Sequence, residues 1–353
     1  MRAVELQIED VAFGGKGVAR YEGKAVFVPF TIEGERVTAH LTREKKKFAE
    51  AELEQVIDRS PMRADPPCPY FGRCGGCAYQ HIEYAHQLAV KARQVEQALR
   101  RIGRLMAVPM RSMIPSPLPY AYRNRITVHA VDGVVGFYRH DAHELIDITR
   151  CPIARPEVNE ALARLRRRRL RDGHFTLRAH AGPRVFEQTN DGVAAALREL
   201  IATFFPERKP LLIDAYCGAG SFAKRLRDNF ERVIGIDWDR FAIAEAQAGA
   251  AAHEQYIAGD VNDELRTALS PASAAGASVI VDPPATGLDP EIRRTLLASD
   301  IGTLVYVSCN PATLARDLGE LQTRFSIESV TPLDMFPQTA EIEIAVQLER
   351  RPA

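Results

Sequence analysis

The chain has 353 residues, 46% of them hydrophobic and 26% charged, which is enough for two or three domains and a large core. Basic and acidic residues each number 46, so the formal net charge is zero. Residues 1–205 nevertheless carry 32 basic against 24 acidic residues, while residues 206–353 carry 14 against 22. This division favours a first part that holds a polyanion, although solvated surface charge produces the same pattern.

The sequence contains no apolar stretch of the kind that signal peptides and membrane spans require. We therefore expect a cytoplasmic protein with no membrane partner. In that compartment the cysteines are not expected to form a disulfide framework. There are six of them, Cys68, Cys74, Cys77, Cys151, Cys217 and Cys309.

Residues 1–58 predict a small β-barrel. Short segments in which apolar and polar residues alternate, such as 4–8 and 25–30, are separated by glycines. Barrels of the oligonucleotide-binding type bind nucleic acid through a strand face and its loops. The run Arg-Glu-Lys-Lys-Lys at 43–47 suits phosphate contact, and an ordinary charged surface explains it equally well.

A proline-rich linker at 61–69 leads into the pattern C-x5-C-x2-C, formed by Cys68, Cys74 and Cys77. The Gly-Gly pair between the last two cysteines lets the backbone turn tightly enough for three sulfurs to face one point. Cys151, which like Cys68 precedes a proline, is the candidate fourth ligand. Three close cysteines and a distant one suit a cubane iron–sulfur cluster, with structural zinc as the main alternative.

Apolar spacing predicts a helix over residues 82–103. Residues 120–185 predict β structure, with 127–131 and 133–137 as a hairpin. An arginine run at 164–171 is predicted to lie on a helix and is too basic on all sides to be core. RNA contact and plain solvation are both open for this run.

From about residue 186 strand-like and helix-like segments alternate, which predicts a mostly parallel, doubly wound sheet. The strand at 211–214 opens into a glycine-rich turn, and the next strand ends in Asp237, where an acid can accept hydrogen bonds from ribose hydroxyls. The glycines of this turn do not match the motif G-x-G-x-x-G, which argues against a dinucleotide dehydrogenase. Asp260 follows the third strand, and Asp282 follows the fourth.

The fifth strand runs into Ser-Cys-Asn-Pro at 308–311, and Leu314 and Leu318 then show helical spacing. A cysteine between a strand and a helix lies at the edge where open α/β sheets bind ligands. The helix amino terminus also favours its thiolate form. A buried core cysteine would produce the same local pattern.

Together these motifs resemble those of the S-adenosylmethionine-dependent RNA (uracil-5-)-methyltransferases, the bacterial 23S rRNA and tRNA 5-methyluridine enzymes, over nearly the whole chain. Ser-Cys-Asn-Pro at 308–311 matches the nucleophile motif and is the most specific signal. Residues 214–222 resemble the cofactor loop, and residues 186–190 resemble the segment that carries a cofactor-site glutamine. Asp-Met-Phe-Pro-Gln-Thr at 334–339, followed by Glu343, matches the motif that ends in the general base.

The resemblance implies a Rossmann-like class I methyltransferase domain at 186–353. It would follow a TRAM-type barrel at 1–58 and a β-rich iron–sulfur domain at 59–185, with the 82–103 helix packing on the catalytic domain. Cys309 would be the nucleophile and Glu343 the general base. The implied S-adenosylmethionine site consists of Gln188, Tyr216, Ser221, Asp237, Asp260 and Asp282. The implied [4Fe–4S] ligands are Cys68, Cys74, Cys77 and Cys151.

RNA is the implied partner of a monomeric enzyme, with 23S rRNA favoured by the cluster ligands and tRNA as the alternative. Three positions depart from the family pattern. Ala285 stands where arginine usually follows Asp-Pro-Pro, and Glu341 stands where histidine is usual two residues before the base. Ser221 replaces a longer polar side chain.

The implied chemistry gives each group a task. Attack of a Cys309 thiolate on carbon 6 of uracil makes carbon 5 nucleophilic towards a methylsulfonium. Glu343 would then remove the carbon 5 proton so that the thiolate can leave. Asp282 is placed to hydrogen-bond the base or the cofactor. Because a stacked uridine cannot present carbon 6, the target has to lie in a loop or be flipped out.

Two other functions fit parts of the sequence. An amino-methyltransferase with an Asp-Pro-Pro motif needs an aromatic residue at position 285, and it leaves Cys309 unexplained. A non-catalytic RNA-binding iron–sulfur protein would not need the intact pair of Cys309 and Glu343.

Overall fold

A computed structural model describes residues 2–140, 142–180, 185, 187–270 and 276–352. The chain forms two compact units. The first comprises Met1–Gln94, Ser116–Ala181 and Phe336–Glu341, and the second comprises Val95–Pro115, Gly182–Met335 and Ile342–Ala353. The domain boundaries expected at 58 and 185 remain predictions, and residue 186 lies outside the described residues.

The first unit begins with a closed five-stranded barrel in the order β1-β2-β3-β5-β4. Alternate residues of β1 point inward, so Val4, Leu6 and Ile8 are at most 6% exposed. The predicted barrel is therefore confirmed. Its strands are β1 (Arg2–Val11), β2 (Lys16–Tyr21), β3 (Lys24–Pro29), β4 (Arg36–Glu44) and β5 (Phe48–Asp58).

A four-stranded sheet in the order β8-β7-β6-β9 follows in the same unit. The predicted hairpin is confirmed, since β6 and β7 pair antiparallel. The buried residues of α2, among them Val158 and Leu162, share a core with the sheet. The elements are β6 (Arg125–Val131), β7 (Val134–Tyr138), β8 (Leu145–Asp147), α2 (Pro156–Arg166) and β9 (Gly173–Arg178).

The helix predicted through the arginine run ends earlier than expected. α2 stops at Arg166, so Arg167 to Arg169 and Arg171 lie in the connection to β9. Leu162 and Leu165 are the last apolar residues at helical spacing, and position 169 is an arginine. The arginines that follow place like charges three and four residues apart, which disfavours further helical turns, and Leu170 packs against the core from outside the helix.

α1 (Tyr84–Arg101) corresponds to the helix predicted over 82–103. Its residues from Val95 onward belong to the second unit, where Val95 and Leu99 are fully buried in the main core. Among the described residues, no helix is both long enough and apolar enough to cross a membrane.

The second unit is built on a seven-stranded sheet in the order β12-β11-β10-β13-β14-β16-β15. The first five strands run parallel, and β16 pairs antiparallel with β14 and β15. The strands are β10 (Lys209–Ala215), β11 (Phe230–Asp237), β12 (Glu254–Ala258), β13 (Ser278–Val281), β14 (Thr303–Ser308), β15 (Phe325–Leu333) and β16 (Glu343–Arg350).

Helices alternate with these strands, which confirms the predicted doubly wound architecture. Every residue of β13 and β14 is buried, as expected for central parallel strands covered on both faces. The helices are α3 (Asp191–Ala202), α4 (Ser221–Leu226), α5 (Arg240–Gln247), α6 (Val261–Ala268), α7 (Pro290–Ala298) and α8 (Pro311–Leu321), with a 3-10 turn at Arg227–Asn229.

Candidate active site

The carboxyl ends of five parallel strands form one edge of the seven-stranded sheet. Residues that end these strands or follow them directly therefore lie along the same edge. Because β16 runs antiparallel to β14, its first residue belongs to this edge as well. The side chains placed there are Asp214, Asp237, Asp260, Asp282, Cys309 and Glu343.

Cys309 follows the end of β14, and Glu343 begins the strand that pairs with it. β14 and β16 pair with Ser308 opposite Ile344, so the next residues in this register are Cys309 and Glu343. Cys309 is half-buried and Glu343 is only 3% exposed. A strand glutamate is ordinarily solvated, so the burial of Glu343 is unusual.

Ser308 and Asn310 hold the backbone on either side of Cys309. The Ser308 hydroxyl accepts a hydrogen bond from the Asn310 amide and donates one to the Asn310 carbonyl, both at 3.2 Å. The Asn310 side-chain oxygen caps α8 by accepting from the amides of Ala312 and Thr313, at 2.9 and 3.4 Å. Cys309 is thus fixed between a strand end and a helix start.

The loop that follows β13 is tied to the same helix. The Asn310 side-chain Nδ2 and the Thr313 hydroxyl both donate to the carbonyl of Ala285, at 3.2 and 3.0 Å. Arg316 donates to the carbonyl of Thr286 at 3.0 Å. These bonds use the backbone of the loop, so they do not require the arginine side chain that the family usually has at position 285.

Asp317 was not identified from the sequence, yet it is fully buried on α8 and joins several elements. Its Oδ1 accepts from two arginines, and its Oδ2 accepts from an amide and a hydroxyl. It lies three residues after Leu314 on the buried helix face, where an acid needs internal partners, and this spacing is the signal that would have revealed it. The donors are Arg293 (3.1 Å), Arg316 (2.8 Å), the Leu288 amide (2.8 Å) and the Tyr306 hydroxyl (2.7 Å).

Burial raises the pKa values of Asp282 and Glu343, and the charge of Asp282 raises the pKa of Glu343 further. Two buried carboxylates that repel each other do not both ionise readily. The pair therefore retains a proton closer to neutral pH than ordinary acids do. A carboxylate with its pKa shifted towards neutrality is suited to accept a proton during a reaction.

Asp214 is another unusual acid, which the sequence placed at a strand end and at the start of the segment that resembles the cofactor loop. It is fully buried, its Oδ2 accepts from the Ala223 amide at 3.0 Å, and its Oδ1 has no hydrogen-bond partner among the described residues. Burial raises the pKa of Asp214 to about 8 against the opposing effect of that amide, and the charges of Asp282 and Asp237 add to the rise. Such shifts concentrate at functional sites.

The turn after β10 holds Asp237 in place. Asp237 is 8% exposed, and its carboxylate accepts from the amides of Gly218 and Asp239, both at 2.8 Å. Gly218 has φ +53°, and a Cβ there would meet nothing within 4 Å, so there is open space beside the turn. Tyr216 has φ +65°, which is strained for a side chain other than glycine. An acid held beside open backbone fits the predicted nucleoside-binding role.

The other predicted cofactor residues lie on three separate elements. Ser221 is exposed and begins α4, and Asp260 is exposed and caps α6 by accepting from the Asn262 amide at 2.8 Å. Gln188 is half-buried just before α3. Phe186, the first residue of the predicted segment around Gln188, lies outside the described residues.

The four cysteines of the predicted cluster are in the first unit, and none is disulfide-bonded. Burial raises the pKa of Cys77 to about 12, and the charges of the other three contribute, so the four sulfurs lie within electrostatic reach of one another. The Gly76 amide donates to the Cys74 sulfur at 3.4 Å, a bond that favours a thiolate. Four cysteine sulfurs are a donor set that suits an iron–sulfur cluster. Nevertheless, no three His, Cys, Asp or Glu side chains in the described part of the chain converge on a metal site.

Comparison with known proteins adds two family matches. Residues 2–53 match the TRAM domain, and residues 268–351 match the family described as tRNA (Uracil-5-)-methyltransferase. The second match spans the edge that carries Asp282, Cys309 and Glu343. The doubly wound sheet defines a Rossmann-like fold. More particularly, residues 268–351 are similar to the RNA (uracil-5-)-methyltransferases.

The chain is also similar to relatives over nearly their full length. The 23S rRNA (uracil(1939)-C(5))-methyltransferase RlmD of Acidithiobacillus ferrooxidans is 29% identical, with 97% of this chain and 96% of the relative covered. An uncharacterized RNA methyltransferase of Protochlamydia amoebophila is also 29% identical, with 98% of each chain covered. The crystal structure of Pyrococcus abyssi tRNA (uracil-54, C5)-methyltransferase with S-adenosyl-L-homocysteine has a TM-score of 0.73 at 23% identity, covering 98% of this chain and 100% of that one. That likeness concerns the fold.

Proposed function

We propose that this protein transfers a methyl group from S-adenosylmethionine to carbon 5 of a specific uridine in RNA, and that the RNA is 23S rRNA. The match of residues 268–351 to the tRNA (Uracil-5-)-methyltransferase family supports the reaction, and the similarity to RlmD supports the ribosomal substrate. The alternative substrate is tRNA, on which the structurally similar archaeal enzyme acts according to its description.

The observation that carries the proposal is the register that sets Cys309 beside Glu343. Carbon 5 and carbon 6 of uracil are adjacent atoms, so a nucleophile for one and a base for the other must also be neighbours. Chemistry of this kind needs both groups within hydrogen-bonding or bonding reach of one ring. Two unrelated core residues would have no reason to meet at a ligand-binding edge.

Cys309 begins the proposed reaction. Its thiolate forms a bond to carbon 6, and the electrons of the 5,6 double bond move into an enolate that ends at the carbon 4 oxygen. S-adenosylmethionine, when bound, supplies the methyl group that carbon 5 receives. The backbone bonds of Ser308 and Asn310 keep Cys309 in position throughout.

Glu343 completes the proposed reaction. It accepts the carbon 5 proton, the 5,6 double bond re-forms, and the bond from carbon 6 to the Cys309 sulfur breaks. The raised pKa of Glu343 favours this step, because a more basic carboxylate accepts a proton more readily. Asp282, whose charge contributes to that shift, would also hydrogen-bond the uracil or the cofactor.

The cofactor would bind at the same edge. Asp237, held by two amides, would accept hydrogen bonds from the ribose hydroxyls. The remaining proposed contacts are Gln188, Tyr216, Ser221, Asp260 and Asp282.

Mass spectrometry of rRNA and tRNA from a strain lacking the protein tests the function. We expect one 5-methyluridine to disappear from 23S rRNA and to return when purified protein and S-adenosylmethionine are supplied to the unmodified RNA. Loss of a tRNA 5-methyluridine instead would reassign the substrate. Unchanged 5-methyluridine in both RNAs would contradict the proposed function.

We also propose that Cys68, Cys74, Cys77 and Cys151 bind a [4Fe–4S] cluster. Their mutual electrostatic influence and the amide donated to Cys74 support it. The role would be to shape the first unit or to position RNA, since the cysteine–glutamate mechanism contains no redox step. Protein purified without oxygen should contain iron and sulfide and absorb visible light. Stoichiometric zinc without iron would contradict this assignment.

A further inference from the structure

Four arginines in the connection between α2 and β9 carry charge that the protein does not neutralise. All four are exposed, and no carboxylate among the described residues forms an ion pair with them. They make no side-chain hydrogen bond within the described chain either. These residues, named the arginine surface here, are Arg167, Arg168, Arg169 and Arg171.

The arginines just before this surface differ from it. Arg164 pairs with Glu160 at 3.5 Å, and Arg166 is held by Asp147. The next acid along the chain, Asp172, accepts from the amide of Asp132 at 3.1 Å. Arg166 is therefore the last arginine of the run that pairs with a carboxylate, and the positive charge of the arginine surface faces solvent.

The arginine surface is displayed on an ordered segment. Leu170, in its middle, packs against the core of the four-stranded sheet. The segment is also bounded by the buried face of α2 and by the pairing of β9 with β6. Adjacent like charges repel and lower stability, so an ordered, uncompensated cluster is better suited to a charged partner than to the fold itself.

The surroundings favour a phosphate backbone over a protein partner. The exposed hydrophobic residue near this surface is a single small one, Val131, which is 37% exposed and precedes Asp132, the residue whose amide binds Asp172; among the described residues from 132 to 237 no large hydrophobic side chain is exposed. Protein interfaces usually centre on apolar or aromatic anchors, which this face lacks. Guanidinium groups, in contrast, bind phosphates through paired, charge-assisted hydrogen bonds.

We propose that the arginine surface is a docking site for the phosphate backbone of the RNA substrate. The inference rests on the proposed function and adds to it a place in the first unit where RNA is held. The chemistry that would be recognised is a run of phosphodiesters, without reading of the bases.

Filter binding of a labelled 23S rRNA transcript to the complete protein tests the proposal. We expect R168Q/R169Q to weaken binding roughly tenfold near 0.1 M salt and to reduce the slope of log affinity against log salt by about 1.4, as expected for two lost phosphate contacts. The control E160Q/R164Q removes a compensated pair from α2 and should bind like the wild type. Binding of S-adenosylhomocysteine should be unchanged in both variants, and the melting temperature of R168Q/R169Q should not fall, because two repelling charges are removed.

The experiment distinguishes failure of this proposal from failure of the proposed function, because RNA binding is measured without methyl transfer. If the protein methylates no RNA but R168Q/R169Q still loses affinity and salt dependence, the RNA-docking proposal is upheld and the proposed function is wrong. An unchanged affinity and salt slope would overturn the proposal, as would an equal loss in E160Q/R164Q. Intact RNA binding with lost binding to anionic lipid vesicles or to polyglutamate would overturn it in favour of another partner.

Discussion

The Tyr306 hydroxyl donates a 2.7 Å hydrogen bond to Oδ2 of Asp317, and both residues are fully buried. Tyr306 lies on the strand that leads to Cys309, and Asp317 lies on the helix that follows it. Because Asp317 also accepts from the Leu288 amide, the loop after β13 is bound to the same carboxylate. Strand, helix and loop are thus fixed to one another around Cys309.

Asp317 should accordingly matter more for stability than Tyr306. D317N removes a buried charge that faces Arg293, and breaking a buried ion pair lowers the free energy of unfolding by about 3–5 kcal/mol. Y306F removes one donor of four and should cost roughly 1 kcal/mol. Urea unfolding of both variants measures the difference. Equal losses of unfolding free energy in D317N and Y306F would show that the Tyr306 bond, and not the carboxylate, holds the elements together.

The two proposed catalytic side chains should fail at different steps. C309A cannot bond to carbon 6, so it should bind RNA and cofactor without forming a covalent product. E343Q keeps the thiolate but cannot take the carbon 5 proton, so a methylated RNA–protein adduct should accumulate. Loss of a general base slows a reaction by on the order of a hundredfold to ten-thousandfold, enough to make the adduct visible.

A denaturing gel with radiolabelled RNA distinguishes these variants. C309A should show no shifted band and E343Q a stable one. Wild-type turnover by E343Q without an adduct would mean that Glu343 is a structural residue and that the base lies elsewhere.

The cofactor site predicts a selective loss of binding. D237A removes the carboxylate proposed to hold the ribose, and the affinity for S-adenosylhomocysteine should fall on the order of ten- to a hundredfold, as for a lost charged hydrogen bond. D239A is the matched control, because Asp239 caps α5 by accepting from the Phe241 amide at 2.9 Å. It should lower stability by about 1 kcal/mol and leave affinity unchanged. Calorimetry that finds equal affinities for D237A and wild type would refute the ribose assignment.

Asp214 predicts a pH dependence of stability. Its pKa of about 8 in the folded protein lies above the ordinary value of 3.8, so the folded state binds the proton more tightly than the unfolded state. Stability is then lost as pH rises from about 4 to about 8, by at most about 1.4 kcal/mol per pH unit. D214N lacks this titration, so its stability relative to wild type should improve with pH across that window. If the melting temperatures of D214N and wild type instead change with pH in parallel, Asp214 is ionised in the folded protein across that whole window.

The architecture of the second unit could be read from the sequence because its signals are local. The strand predicted at 211–214 lies within β10, and alternation of apolar strands and amphipathic helices identified the parallel sheet. Asp237, Asp282 and Cys309 could be placed at one edge for the same reason, since parallel strands put their carboxyl ends together.

Tertiary structure decided which of these residues meet. Cys309 and Glu343 are far apart in sequence, and only the pairing register of β14 with β16 sets them side by side. The burial of Asp214 and Asp317 likewise depends on helices and loops from distant parts of the chain, which no local pattern encodes. The helix predicted through the arginine run shows the opposite error, because the prediction continued it past Arg166, where Leu170 meets the core from a connection and not from a helix. Local spacing thus determined the elements and their chemistry, whereas long-range packing decided which side chains are neighbours, which are buried and which keep their charge.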